Sequence, residues 1–191
     1  MEVCHANLAA VDTTSTALAY MGGRTVQARP LLVDAWERLG RGRTPGPRAA
    51  SIAAQLCSLG IVAQEMDAMV AWGEAARAAE SDAALGQGLV AGMRTVALAV
   101  VGRAPEALQQ MRPLGAAGGV PGAQLDGVVA RGMVRLWTDD LDRARADLSV
   151  ALARARAGEP VRLIGQAAGH LGEACYRAGA ARRRWRLSGV G

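Results

Sequence analysis

The sequence predicts an all-α fold, a right-handed α-solenoid of about four and a half helical hairpins. A triplet of small, large and small residues recurs four times at intervals of 37 to 40 residues, with constant internal offsets of four and three. These offsets place the three side chains on one face of an α-helix. A period of this length is typical of hairpins stacked on copies of themselves. The triplets are Ala28/Leu32/Ala35, Ala68/Trp72/Ala75, Ala107/Met111/Leu114 and Ala144/Leu148/Ala151.

Turn positions at a constant distance before each triplet divide the chain into helix pairs. Gly23, Ala63, Gly102 and Asp139 each lie five residues before the first small residue. Alternating runs of β-branched residues, which are typical of strands, are absent from the sequence. The predicted helix pairs are 6–21 with 25–39, 47–62 with 64–79, 83–101 with 104–114, and 122–137 with 140–157, followed by a fifth first helix at 160–178.

Residues that favour helix ends support two of these boundaries. Pro105 lies near a helix start, where its missing N–H costs nothing, and Glu106 beside it is favourable at the positive end of the helix. Gly158 ends the fourth pair, and Pro160 begins the fifth first helix.

The second helix of the fourth pair shows an apolar stripe. Its apolar side chains recur at helical spacing and are assigned to the core: Leu141, Ala144, Leu148, Ala151 and Leu152. The charged residues between them are assigned to the solvent face: Asp142, Arg143, Arg145 and Asp147.

The basic charge is concentrated at the C-terminus. The net charge is +5, and all 22 basic residues are arginines because the chain contains no lysine. Five of these arginines lie in the last 15 residues, which contain no acid, so the remainder of the chain is neutral. The small–large–small pattern also stops, since Arg184, Ser188 and Gly191 occupy its expected positions. We therefore predict a helical-repeat domain at 1–179 and an Arg-rich irregular tail at 180–191.

The cysteines and the apolar stretches predict a cytoplasmic protein. Cys4, Cys57 and Cys175 are odd in number and far apart, which favours reduced thiols. We expect no secretory signal, and the most apolar stretch, 83–102, is interrupted by Arg94, which is costly in a bilayer. No membrane association is expected.

The segment 170–179 resembles the first helix and turn of a tetratricopeptide repeat. It carries Leu171-Gly172, a later aromatic at Tyr176 and a turn glycine at Gly179. The period here is about 39 residues rather than the usual 34, so HEAT-type helix pairs are the structural alternative. In the fourth unit the family's small, small, large and small positions are matched by Gly132, Ala144, Leu148 and Ala151.

Segments 131–151 and 171–179 resemble the degenerate tetratricopeptide region of large ATP-binding, MalT-like bacterial transcriptional regulators of the LuxR type. The resemblance implies a segment that senses a protein or small-molecule effector in its concave groove. The ATPase and DNA-binding modules of that family are absent from this sequence, since a P-loop needs lysine and the 12 residues after Gly179 are too few for a helix-turn-helix. We interpret the chain as a detached or truncated segment of such a regulator.

The sequence predicts binding rather than catalysis, with no catalytic, metal-ligating or cofactor-binding residues. The two histidines, His5 and His170, have no neighbour at a spacing that suggests zinc or a nucleophile pair. The glycine-rich stretch 86–92 follows a predicted helix, whereas a dinucleotide loop follows a strand. By register alone, the candidates for lining the groove are Met133, Trp137, Gln166, His170 and Glu173.

Two further features leave alternatives open. Trp36, Trp72 and Trp137 lie near positions for large side chains and are assigned to the core rather than to ligand stacking. The Arg-rich run 182–186 makes a nucleic-acid-binding protein the alternative function, although we expect no direct nucleic-acid binding. Loss of the fifth second helix predicts an exposed apolar face on helix 160–178.

Overall fold

The computed structural model describes residues 25–40, 46–79 and 88–187, and the regular elements in these ranges are helices. No strand occurs in the described ranges, so the predicted all-α class is confirmed. The chain divides into two compact units, Met1–Gly86 and Gln87–Gly191. The single repeat domain at 1–179 stays a prediction, and the predicted helix 6–21 lies outside the described residues.

Most of the predicted helix boundaries agree with the structure. Those of 25–39, 47–62, 64–79, 122–137 and 140–157 lie within three residues of the observed helices. No helix over the described ranges is both long and apolar enough to cross a membrane. In chain order the helices are α1 (Thr25–Gly40), α2 (Pro47–Ala63), α3 (Met66–Ala79), α4 (Leu89–Val100), α5 (Ala104–Gln110), α6 (Leu125–Trp137), α7 (Leu141–Arg156) and α8 (Ile164–Leu187).

In the first unit, α2 packs against both α1 and α3. Trp36 of α1 and Trp72 of α3 are half-buried against the core, and their rings meet edge to face with centroids 5.5 Å apart. This is a favourable geometry for an aromatic pair. The assignment of these two tryptophans to the core is therefore confirmed. The buried part of this core consists of Ala28, Leu32, Ile52, Leu56 and Leu59.

Three junctions between consecutive helices share one backbone geometry. A residue with positive φ lies just after the first helix, and the residue five positions later is fully buried in the second helix. The left-handed residue reverses the chain and closes the end of the first helix. The junction residues and their buried partners are Gln64 with Met69, Gly102 with Ala107, and Asp139 with Ala144.

The predicted triplet of α3 is wrong by one residue. Ala68, Trp72 and Ala75 are only half-buried, whereas the buried face of this helix consists of Met69, Gly73, Ala76 and Ala79. The reason is the position of the turn, because the left-handed residue is Gln64 and not Ala63. One residue rotates the face of an α-helix by about 100°. Alanines occur on the predicted face and on the observed face of α3, so the sequence pattern does not distinguish the two.

In the second unit, α6 is the central helix and packs against α4, α5, α7 and α8. Every residue of α6 is buried except Arg135 and Trp137. Because two positions along a helix are about 200° apart, these two side chains lie on nearly opposite faces of α6. Helix α6 therefore reaches the surface of the second unit at two places, at Arg135 on one side and at Trp137 on the other.

Glycines lie where α6 approaches its neighbours most closely. A Cβ on Gly132 would lie 2.8 Å from Leu148 Cγ of α7, and a Cβ on Gly92 of α4 would lie 3.0 Å from Ala130 Cβ. Both distances are too short for ordinary contacts, so a side chain at either position displaces a helix or a neighbouring side chain. Gly132 therefore permits the close approach of α7 to α6, with Leu148 packed against it.

The connection between α5 and α6 is fixed by arginines. The predicted helix 104–114 ends at Gln110 because Pro113 disfavours helical backbone before it, and three short 3-10 turns follow. Arg131 of α6 donates to the Gly115 carbonyl at 2.7 Å, and Arg154 of α7 donates to the Val120 carbonyl. These contacts hold the segment in place together with its buried side chains Leu114 and Val120.

The predicted irregular tail is wrong as far as Leu187. Helix α8 continues from Ile164 to Leu187, without a break at residue 180. Alanine and arginine are strong helix formers, and neither glycine nor proline occurs between 180 and Leu187. The end of the packing pattern therefore does not end the helix. Two large side chains of α8, Ile164 and Tyr176, are exposed, but they are twelve residues apart and do not form the predicted apolar face.

Asp126 is a buried carboxylate whose replacement tests the pH dependence of the second unit. Its Oδ1 accepts a hydrogen bond from the Leu163 amide at 3.0 Å, and burial raises its pKa above the ordinary value of 3.8 despite that bond. With a raised folded-state pKa, its contribution to stability is complete below 3.8 and is lost as the pH rises through the folded value.

Asp126→Asn keeps a side-chain oxygen that accepts the hydrogen bond from the Leu163 amide. We expect this variant to be at least as stable as the wild type near neutral pH. Its stability also falls less as the pH rises above the ordinary aspartate range. Urea unfolding at a series of pH values measures both, with the exposed Asp142→Asn as the control. A variant clearly less stable than the wild type at neutral pH contradicts this account of Asp126.

Candidate functional site

The candidate groove residues are only partly brought to a common surface. Trp137 is 37% exposed, and its ring lies edge-on to His170 with centroids 6.1 Å apart. Met133 has no exposed surface, so its assignment to the groove lining is wrong. It lies on the buried side of α6, which faces other helices. Gln166 is 9% exposed and contributes little surface, whereas Glu173 is exposed.

Contacts between α8 and the end of α6 hold this face in place. Arg177 donates to the Leu136 carbonyl at 3.0 Å, pairs with Asp139 at the junction and lies 3.5 Å from Glu173. A cation is favourable at the carboxyl end of a helix. His170 Nδ1 donates to the Gln166 carbonyl at 2.8 Å. The Trp137–His170 face, defined by these two rings, is therefore a small surface whose polar neighbours are already engaged.

A cavity of about 690 Å³ lies on the other face of α6. It is lined by α5, the turn that follows it, two side chains of α6 and the start of α7. This volume is within the range of small-molecule sites. We name it the arginine cleft and define it by Leu108, Met111, Arg112, Arg131, Arg135 and Arg143.

A buried ion-pair network forms the floor of the arginine cleft. Arg131, which is 4% exposed, donates from Nε and Nη2 to the two carboxylate oxygens of Asp147, both at 2.9 Å. Arg135 Nη1 donates to Asp147 Oδ2 at 2.6 Å. Two-point pairing of this kind fixes the plane of a guanidinium group. One buried carboxylate thus orients two arginines, one turn apart on α6.

The rim of the arginine cleft, like its floor, carries more positive than negative charge. Arg143 lies 3.3 Å from Asp140, and both side chains are at least partly exposed. Arg112 is exposed and has no ion pair with any described residue. Four arginines therefore face two aspartates, Asp140 and the shared Asp147, which leaves an excess of two positive charges. The arrangement presents N–H donors of fixed orientation to an anion.

Sequence reasoning did not find this site because it assigned Asp147 to the solvent face. Asp147 is 2% exposed, and its Cβ lies beside Gly132, where the two helices approach closely. Two features of the sequence indicate the network in retrospect. Arg131 and Arg135 are spaced i, i+4 in a helix whose one other charged residue is Asp126, and Asp147 is next to Leu148 of the buried triplet. Charges at such positions are seldom buried unless they are paired.

Comparisons with protein-family models, with curated proteins and with solved structures give no match for this chain. Among the described residues, no group of three histidine, cysteine or acidic side chains is placed to hold a metal ion. The inference of function therefore depends on the geometry of the Trp137–His170 face and of the arginine cleft.

Proposed function

We propose that this chain is a non-catalytic helical-repeat module that binds an effector, and that its binding site is the arginine cleft. The effector is a protein segment or a small molecule. By resemblance, the module belongs to a cytoplasmic LuxR-type transcriptional regulator, of which it is the sensing segment. Its helices form a right-handed solenoid of tetratricopeptide-like hairpins.

The helix junctions and the packing of the second unit support a repeat array. The three junctions with a left-handed residue five positions before a fully buried residue recur at intervals of 38 and 37 residues. Within the second unit α4 packs on α6 and α6 packs on α8, while α5 and α7 each pack against the preceding helix. Contacts between first helices of successive hairpins are typical of such arrays.

The arginine cleft is the single observation that carries the proposed binding function. Its floor is fixed by the Arg131–Asp147 pair, and the polar groups that line it are guanidinium groups, Asp140 and the Gln109 amide. These groups donate hydrogen bonds and hold charge, which suits recognition more than covalent or acid–base chemistry. A site whose side chains are oriented before binding loses less entropy when it binds.

Filling the cleft with a bulky side chain tests this function without assuming the charge of the ligand. Gln109 lines the cleft, whereas the neighbouring Gln110 is equally exposed on α5 and lies outside it. We expect thermal unfolding with a panel of sugars, amino acids, nucleotides, organic acids and short peptides to give at least one stabilising compound. At a hundred times its Kd, such a compound raises Tm by about 5–10 °C. The rise is lost in Gln109→Trp and kept in Gln110→Trp.

Three results contradict the proposed function. One is a panel without any stabilising compound, and another is a stabilisation that survives in Gln109→Trp. The third is a stabilisation lost in Trp137→Ala, which assigns binding to the groove face predicted by register. The alternative, a nucleic-acid-binding protein, predicts binding of oligonucleotides that falls steeply with salt and disappears when 180–191 are deleted.

A further inference from the structure

The charge of the arginine cleft selects the sign of its ligand. Asp147 is shared by Arg131 and Arg135, so one carboxylate balances two guanidinium groups. Arg112 on the rim adds a further cation without an acidic partner among the described residues. Arginines are weakly hydrated and bind carboxylate and phosphate groups through two parallel hydrogen bonds. An anion is therefore the complementary ligand.

The wall of the cleft on its α5 side is largely apolar. Pro105, Leu108 and Met111 line it, and Met111 is almost completely buried while Leu108 is half-buried. Binding sites for small organic molecules combine such walls with a few polar groups that fix orientation. A bare inorganic anion leaves this wall without a partner. The complementary ligand thus carries an apolar group beside its charge.

The backbone keeps the two parts of the cleft together. Gly115 has φ of 60° and ψ of −154°, a conformation that residues with a Cβ rarely adopt. Its carbonyl accepts the hydrogen bond from Arg131 Nη1 at 2.7 Å. The turn that carries Arg112 and Met111 is therefore joined directly to the charged floor.

From these observations we infer that the arginine cleft binds a small organic anion, in which a phosphate or a carboxylate is attached to an apolar body. The anionic group pairs with Arg135 and Arg112, and the apolar body packs on Pro105 and Leu108. This inference rests on the proposed function and names the chemical class of its effector.

Calorimetric titration with four simple probes separates the contributions of charge and apolar surface. The probes are phenyl phosphate, benzoate, inorganic phosphate and phenol. We expect phenyl phosphate or benzoate to bind more tightly than inorganic phosphate and phenol, because each of the latter satisfies only one side of the cleft. The order of phenyl phosphate and benzoate distinguishes a phosphate site from a carboxylate site.

Two arginine variants give the matched comparison. Arg112→Gln is expected to weaken the better organic anion about tenfold, because it removes a charge-assisted hydrogen bond. Arg156→Gln is the control, since Arg156 is exposed at the far end of α7, about 20 Å along the helix from Arg143. Equal weakening in both variants indicates attraction by net charge alone and overturns the inference.

The probes also separate failure of this inference from failure of the proposed function. If neither organic anion binds, while a neutral compound of the panel stabilises the wild type and not Gln109→Trp, the cleft is a binding site of another chemistry. The inference is then wrong and the proposed function stands. If no probe and no panel compound depends on Gln109, both are wrong.

Discussion

Replacing Asp147 with alanine is expected to lower the free energy of unfolding by about 3–5 kcal/mol. The change leaves the buried Arg131 guanidinium without its carboxylate and removes the partner of Arg135. An unpaired buried charge costs much more than the pair contributes, because the desolvation penalty stays after the attraction is lost. Denaturant unfolding followed by helical circular dichroism measures the loss.

Two comparisons show whether the loss comes from the network. Asp142→Ala removes an exposed acid from the same helix, and we expect it to cost less than about 1 kcal/mol. The double variant Arg131→Met/Asp147→Leu replaces the pair by apolar side chains and is expected to recover most of the stability lost in Asp147→Ala. A loss of less than about 1 kcal/mol in Asp147→Ala contradicts the buried network.

Gly132→Val is expected to destabilise the chain by about 3 kcal/mol, the upper part of the usual range for overpacking. Its Cβ would lie 2.8 Å from Leu148 Cγ and 3.3 Å from Asp147 Cβ, so α6 and α7 must move apart. Such a movement also stretches the hydrogen bonds between Arg131 and Asp147. The substitution therefore acts on packing and on the network together, and the same denaturant unfolding measures it.

The control for Gly132→Val is the same substitution at Gly169. This glycine lies in the interior of α8 and is exposed, and a Cβ at this position would have no neighbour within 4 Å. Valine is a better helix former than glycine, so we expect Gly169→Val to be neutral or stabilising by a few tenths of a kcal/mol. Comparable losses at the two positions would show that helix propensity, and not the approach of α6 and α7, determines the effect.

The fold class and most helix positions were predictable because they depend on local patterns. Ala144, Leu148 and Ala151 are fully buried as their spacing predicts, and the turn at Asp139 has the predicted position. The register of α3 was not predictable, since alanines and other small residues occur on both sides of Trp72. Packing against Gly60, whose Cβ would lie 3.0 Å from Met69 Cβ, selects the observed face.

The candidate site was harder to predict because it depends on pairing across helices. Register alone assigned Trp137 and His170 to one surface, where their rings do meet, but it placed the buried Met133 on the same surface. Asp147 was assigned to solvent because a single charge on a helix is usually exposed. Only the packing of α6 against α7 shows that Arg131, 16 residues earlier, is its partner. Pairs between residues that are far apart in the chain are difficult to predict from a single sequence.

The buried ion-pair network and the arginine cleft share residues, so binding and folding are linked. Arg131 and Asp147 join α6 to α7 and also form the floor of the cleft. A ligand that binds only the folded chain raises its stability in proportion to the logarithm of its concentration. Asp147→Ala therefore changes both the stability and the orientation of the cleft arginines, whereas Arg112→Gln is expected to weaken binding alone.

Titration of the wild-type chain with phenyl phosphate or benzoate, whichever binds more tightly, followed by NMR of the arginine side-chain and tryptophan indole N–H groups, tests the central claim most directly. The account predicts shifts at Arg112, Arg135 and Arg143 that saturate together, with Arg156 and Trp137 unchanged. Shifts at Trp137, or equal shifts at Arg156 and the cleft arginines, would contradict an anion site in the arginine cleft.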